Sequence, residues 1–217
     1  MVQEAAAERQ GAGAREKLLS AALVLFNNKG YAAASVREIV AASGVTKPVL
    51  YYYFGSKEGL YLELLNGSFS EFDDYIGRIG DLQGTVSERI GHFCTMMLDL
   101  VVQNIEVVRL IYAIYYGPPQ GAPEINFETY FTTMLETIHD LVREGIASGE
   151  LQPNDSSDAA WTIISILNAA MAEQLCSTPA RIDRMQMVRM LGLVMAGLAT
   201  KPWGALPGAN LSIGESQ

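Results

Sequence analysis

Ser35-Val36-Arg37-Glu38-Ile39-Val40-Ala41-Ala42-Ser43-Gly44-Val45-Thr46-Lys47-Pro48-Val49-Leu50-Tyr51-Tyr52-Tyr53-Phe54-Gly55-Ser56-Lys57 packs a capped short helix, a glycine turn and a second short helix into one run of chain. That is the layout of a helix-turn-helix. Ser35 and Glu38 stand three apart, so the hydroxyl can accept from the Glu38 amide while the carboxylate reaches back to the Ser35 amide, which starts a helix at Val36. Val36, Ile39 and Val40 recur at helical spacing and form an apolar face, with Arg37 pointing elsewhere. Gly44 can take the left-handed conformation that ends this helix, and Thr46 can cap the next. Pro48 fits because it falls in a first turn.

The second helix, Lys47 to Tyr53, is too short to be stable alone, so packing must hold it. Leu50 and Phe54, four apart, are the inward pair. Thr46, Lys47, Tyr51 and Tyr52 are left at or near the outer side, where a hydroxyl, an ammonium and phenols suit phosphates and major-groove base edges. Three consecutive tyrosines on a short helix cannot all face inward. Ser56 caps a further helix whose first-turn Lys57 is expected to face the same way, since lysine is unfavourable at a helix N-terminus unless an outside anion compensates.

Arg15 to Leu62 resembles the DNA-binding domain of the TetR (tetracycline-repressor) family of bacterial transcription regulators. The matching stretches are Ala21-Ala22-Leu23-Val24-Leu25-Phe26, Lys29-Gly30-Tyr31, Ser35-Val36-Arg37-Glu38-Ile39, Ser43-Gly44-Val45-Thr46-Lys47 and Leu50 through Glu58. Family members often carry a small residue where this chain has Pro48, and a histidine near Tyr52 or Tyr53. The resemblance implies phosphate contacts at Tyr51 and Lys57. Together with the reading above, it makes Ser35, Arg37, Thr46, Lys47, Pro48, Tyr51, Tyr52, Tyr53 and Lys57 the candidate DNA-binding residues.

The net charge of -9 at first opposes DNA binding. It is unevenly spread: Arg15 to Leu64 holds six Lys or Arg against four acids, whereas Leu65 to Gln217 holds eight against eighteen. Positive charge is concentrated on the reading head, and an acidic body resists lying along DNA. Cys94 and Cys176 lie far apart in apolar contexts and read as buried thiols rather than a disulfide. No basic start followed by an apolar run marks a secretory signal, and no stretch reads as spanning a membrane, so a cytoplasmic location is expected. Two histidines and two cysteines without ligand spacing make a metal site improbable, and no cofactor is implied.

The periodicity predicts an all-α, nine-helix, two-domain fold with no strands. The parts are a disordered tail over 1–14, a helix-turn-helix domain over 15–64, an effector-binding and dimerisation domain over 65–200, and a flexible tail over 201–217. The helices are read as Arg15 to Asn28, the two short ones, Lys57 to Ile79, Thr85 to Gln103, Ile105 to Tyr116, Glu124 to Ser148, Asp155 to Cys176 and Pro179 to Thr200. Gly117 to Pro123 cannot continue a helix and marks a loop.

The family resemblance implies a body that binds a small effector and dimerises through its last two helices. Those helices are apolar over more than one stripe, as a helix with an intrachain and an interchain face should be. Trp161, Ile164, Leu167, Met171, Met187, Met190, Leu191, Val194, Met195 and Leu198 are the candidate interface of a homodimer. Phe93, Met96, Met97, Tyr112, Tyr115, Tyr116, Phe127, Tyr130, Phe131, Met134, Trp161 and Asn168 are candidates for lining a pocket for a small apolar or aromatic effector, and they are equally candidates for core. His92 and His139 each stand alone, and Arg109 can pair with Glu106 or Asp99. The expected function is a homodimeric repressor released from a palindromic double-stranded DNA operator by that effector. A DNA-binding organiser without an effector is the alternative. An enzyme or carrier with an adaptor head finds no nucleophile elbow, phosphate loop or triad to support it.

Overall fold

The structure, a computed structural model, describes residues 2–119, 121–153 and 155–200. Among these residues there are nine α-helices and no strand: α1 Val2–Ala33, α2 Val36–Ser43, α3 Lys47–Phe54, α4 Lys57–Arg78, α5 Val86–Gln103, α6 Ile105–Tyr115, α7 Phe127–Ser148, α8 Ser156–Cys176 and α9 Arg184–Thr200. A single 3-10 turn, Ile79–Asp81, follows α4. The loose end expected from Lys201 onward lies outside the described residues.

The first helix departs from the sequence reading, beginning at Val2 rather than Arg15. Ala5 to Ala7, Ala12 and Ala14 are strong helix formers, and extending an established helix costs far less than nucleating one. At Gly30 the backbone leaves helical geometry (φ 83°, ψ 162°), and a last turn follows to Ala33. The seventh helix starts at Phe127 rather than Glu124, because residues after Pro123 form a turn in which the Phe127 amide donates to the Ile125 carbonyl at 2.9 Å. The ninth starts at Arg184 rather than Pro179. There Glu173 holds the α8–α9 loop, accepting from the Arg181 amide at 3.1 Å and its guanidinium at 2.9 and 2.6 Å, while Asp183 caps the new helix by accepting from the Gln186 amide at 2.7 Å.

The chain forms two compact units. The head unit comprises Met1–Gly77 and Asp99–Glu128, the body unit Arg78–Leu98 and Thr129–Gln217. The domain boundary expected after Leu64 thus falls inside the head unit, which also contains α6. Its core is Leu18, Ala22 and Phe26 of α1 with Tyr31, Ala34, Ile39, Leu50, Phe54, Leu60, Tyr61, Leu64 and Leu65, closed by Leu110 from α6. Leu25 is half-buried at its margin. Asn27 donates to the Glu106 carbonyl at 2.9 Å and its carboxylate at 3.2 Å, so α1 and α6 are joined by hydrogen bonds as well as by packing.

The body unit buries Ile90, Phe93, Cys94 and Met97 of α5, Ile138, Leu141 and Val142 of α7, Leu151, and the inner faces of α8 and α9. Thr85 and Glu88 form a second capping box at the start of α5, with amide-to-side-chain distances of 2.9 and 3.2 Å. Burial pushes the Cys94 thiol up to about 12. Cys176, expected to be buried, is exposed, because it is the last residue of α8 and lies on its outer side. Among the described residues one helix, α8, is long and apolar enough to cross a membrane by length and composition, where the sequence reading predicts none. Its apolar width serves the body core: Ala159, Ala160, Ile163, Ile164, Leu167, Ala170 and Met171 are all buried.

Candidate nucleic-acid interface

The reading head is anchored at Ser35. Its amide donates to Glu38 Oε2 at 3.0 Å and its hydroxyl accepts from the Glu38 amide at 3.3 Å, the reciprocal box that fixes the first residue of α2. The hydroxyl also donates to the Glu38 carboxylate at 2.6 Å, and Lys29 pairs with the same carboxylate. Lys29 first and Ser35 second hold the Glu38 carboxyl down at about 2, against an ordinary 4.5. Ile39 is buried, Val36 and Val40 are half-buried beside it, and Gly44 adopts the left-handed conformation with φ 66°.

In α3 the expected cap is missing. The Thr46 carbonyl accepts from the Val49 and Leu50 amides at 3.1 and 3.2 Å, but the Thr46 side chain makes no cap hydrogen bond. Pro48 explains this, since it has no N–H and the Val49 N–H is already taken by the Thr46 carbonyl. The Thr46 side chain, freed from capping, is exposed. Leu50 and Phe54 are buried as expected. Tyr51 is 43% exposed and Tyr52 82%, while Tyr53 is half-buried against the head core with its ring 6.1 Å from Phe54. Lys47 Nζ lies 5.7 Å from the centre of the Tyr51 ring.

The outward surface therefore comprises Arg37 on α2 and Thr46, Lys47, Pro48, Tyr51 and Tyr52 at α3, all exposed. Ser35, Tyr53 and Lys57 are drawn elsewhere. Ser35 spends its hydroxyl on Glu38, and Tyr53 packs. Lys57, expected to face outward, turns inward and donates to the carbonyls of Tyr31 at 2.9 Å and Ala34 at 3.1 Å. Those oxygens compensate the ammonium in place of the outside anion that the sequence reading invoked. Gly59, which that reading passed over, is also needed here: a Cβ on it would stand 2.0 Å from the Phe54 carbonyl oxygen, so only glycine lets α3 and α4 meet this closely. Its signal was a glycine three residues past a capping serine, whose hydroxyl the Gly59 amide reaches at 2.9 Å.

Residues 18–64 match the family described as Bacterial regulatory proteins, tetR family. The HTH-type transcriptional regulator QacR of Staphylococcus aureus is 42% identical over 154 residues, covering 65% of this chain and 75% of QacR. The chain belongs to the TetR family. The HTH-type transcriptional activator FasR of Mycolicibacterium smegmatis is 31% identical over 132 residues, which span 59% of this chain and only 58% of that relative. The solved structure of NalD, the secondary repressor of the MexAB-OprM multidrug efflux pump in Pseudomonas aeruginosa, matches with a TM-score of 0.63 over 88% of this chain and 98% of NalD. At 18% identity that likeness concerns the fold alone. This TetR-family protein is a DNA-binding transcriptional regulator and not an enzyme.

The regulator's effector candidates divide between the units. Phe93, Met96, Met97, Tyr130, Phe131, Met134, Trp161 and Asn168 belong to the body, where Phe93, Met97 and Met134 are buried in the core and the Phe131 ring lies tilted with its centre 5.7 Å from that of Trp161. Tyr112, Tyr115, Tyr116 and Phe127 belong to the head unit, with Tyr115 6.1 Å from Phe127 and 4.8 Å from Tyr116. His139 bonds Ser156 at 2.9 Å, and Arg109 pairs with Glu106 at 2.6 Å.

The dimer candidates show a clear displacement. Ile164, Leu167, Met171, Met187, Leu191 and Met195 are buried within the single chain, and Met190, Val194 and Leu198 are half-buried along the same side of α9. Trp161 alone among them is exposed. The outward arc of α9 consists instead of Met185, Val188, Arg189, Gly192, Leu193 and Ala196, with Met185 60% and Leu193 77% exposed.

Proposed function

We propose that this regulator is a homodimeric repressor that holds a palindromic operator through two α2–α3 heads and leaves it when a small apolar or aromatic effector binds the body. The observation that carries the DNA half is the exposed strip of Arg37, Thr46, Lys47, Pro48, Tyr51 and Tyr52 on a head whose own core is closed beneath it. Hydroxyls and cations on a rigid, short helix are what phosphate anchoring and base-edge reading require. A cytoplasmic location is the reading that DNA binding supports.

The dimer half follows from the outward arc of α9 and from Trp161, Ser165 and Ala172 on α8. A large apolar side chain such as Leu193, exposed beside Gly192 and Ala196, is suited to close helix packing against a second copy. Twofold pairing makes the half-site spacing of the operator a property of the body, which an effector can change only by binding one spacing better than the other. Repression follows where the operator overlaps a promoter. FasR, an activator, shows that a relative can act in the other direction.

The experiment is fluorescence anisotropy with duplexes from the regulator's own upstream region. Tyr51→Ala with Tyr52→Ala should weaken binding by about tenfold or more, at base-contact and phosphate-contact magnitudes, with the dimer intact. Unchanged affinity removes α3 as the contact. Burial of Phe93, Met97 and Met134 favours a second reading in which the body holds no effector. Thermal shift with apolar and aromatic compounds separates the two, since a ligand of the native state raises the melting temperature.

A further inference from the structure

The last helix, α9, carries apolar residues on two sides. Met187, Leu191 and Met195 are buried, and Met185, Val188 and Leu193 lie exposed roughly a third of a turn away. Apolar burial is non-directional, and methionine repacks readily. Hydrophobicity alone therefore leaves the rotation of α9 about its axis weakly determined, and directional bonds at its two ends decide it. At the start, the residues just before α9 are gripped by the last turns of α8. The Glu173 carboxylate accepts from the Arg181 amide at 3.1 Å, from its Nε at 2.9 Å and from its Nη2 at 2.6 Å. The Gln174 side chain donates to the Ile182 carbonyl at 3.0 Å. Asp183 then begins the helix, its carboxylate accepting from the Gln186 amide at 2.7 Å and its carbonyl from the Met187 amide at 2.9 Å. At the far end, the Leu198 carbonyl is one of those that a helix leaves without an internal partner, and it accepts from the Gln152 amide at 2.9 Å. The loop bearing Gln152 is itself tied down. The Glu150 carboxylate accepts from the Val86 amide at 2.7 Å, and the Leu151 amide donates to the Gly145 carbonyl at 2.9 Å.

We infer that Glu173 is the positioning residue of the dimer interface: by holding Arg181 it sets the rotation of α9, so that Met185, Val188 and Leu193 are offered to a second copy while Met187, Leu191 and Met195 stay in the core. This role rests on the homodimer reading. The Glu173 side chain is only 15% exposed, so its bonds are not screened as those of a surface ion pair are. Its two oxygens take two guanidinium nitrogens, a bidentate geometry that adds direction to strength. The Arg181 guanidinium pulls the Glu173 carboxyl down to about 2 from 4.5, which keeps the clamp ionised at neutral pH. Arg181, Ile182 and Asp183 are thereby fixed before α9 makes its first turn, and the phase of a helix follows from where that turn starts.

The test combines sedimentation equilibrium with methionine oxidation by hydrogen peroxide, read residue by residue by mass spectrometry, on full-length wild type, Glu173→Leu and Glu173→Gln. Met97, buried on α5 of the same unit, is the reference. General loosening of the body exposes Met97 and Met187 together, whereas a turned α9 exposes Met187 ahead of Met97. Glu173→Leu should raise the dimer dissociation constant by about tenfold or more and speed the oxidation of Met187 several-fold relative to Met97. Glu173→Gln, which still accepts from the Arg181 amide, should recover part of both effects. An unchanged dissociation constant in Glu173→Leu, or an unchanged ratio of Met187 to Met97 oxidation, overturns the inference. Should Glu173→Leu fail to fold, Arg181→Ala decides, since that side chain is exposed. A raised dissociation constant with Met187 oxidised ahead of Met97 supports the clamp, and any other result overturns it. A wild type that sediments as a monomer at every concentration fails the homodimer reading itself, and that result is recognisable without any variant.

Discussion

A hydroxyl sits in the apolar core of the head. Tyr61 is fully buried, its oxygen meets no hydrogen-bond partner among the described residues, and burial pushes its pKa up to about 12. An unsatisfied buried donor costs about 1–3 kcal/mol, so Tyr61→Phe is expected to stabilise the head by about 1 kcal/mol while keeping the ring contacts to Phe26 and Tyr31. Urea unfolding of the two proteins checks it, and a loss of stability would mean that the oxygen has a partner. Glu38 gives a residue-scale pH effect of known sign. Its folded carboxyl is depressed to about 2 from 4.5, so its contribution is complete above 4.5 and fades as the pH falls toward 2. The stability gap between wild type and Glu38→Gln, followed by circular dichroism, should be constant at neutral pH and narrow across that window. These residues were legible to different degrees. Ser35 and Glu38 announce themselves by a spacing of three. The orientation of Lys57 does not, because its partners are backbone carbonyls more than twenty residues away and every residue carries such a group.

At the scale of helices, the contrast is between α2–α3 and α8–α9. The short pair was readable because caps, a left-handed glycine and an inward Leu50–Phe54 pair are local signals. The long pair was readable as helices but not in orientation. Both sides of α9 are apolar, Met187, Leu191 and Met195 on one and Met185, Val188 and Leu193 on the other, so periodicity alone cannot say which side the chain keeps for itself. The structure turns the first set inward, and the candidate interface moves to the second. Leu193→Glu should therefore yield a folded chain that sediments as a monomer and loses operator affinity. Leu191→Glu should instead unfold the body by leaving a charge in its core, at a cost of several kcal/mol. Equal dimerisation of Leu193→Glu and wild type would reject the outward arc as the interface. The early helices of the head carry a similar constraint at Gly59, which periodicity treats as a weak spot and the geometry makes a requirement.

Across the whole molecule, charge is divided as the sequence indicated, with an excess of cations between Arg15 and Leu64 and an excess of acids beyond. Affinity for DNA should then fall with salt at a slope set by the few cations of the head, since the acidic remainder repels phosphate. The partition of the chain was less legible. The family match ends at residue 64, yet Leu110 of α6 is 1% exposed within the head's own core, because α6 is apolar on several sides and nothing local says which side is covered. Leu110→Ala should cost about 2–5 kcal/mol, read as a lowered midpoint of unfolding. The joint of α6 with the head, through Asn27 and through the seat of Leu110, also bears on engineering. A chimaera that grafts only the first 64 residues onto a foreign body would arrive with an open seat where Leu110 belongs and with Asn27 stripped of its acceptor. A transplant that carries residues 105–115 as well brings its own lid, so the portable cassette for retargeting this regulator is discontinuous in the gene.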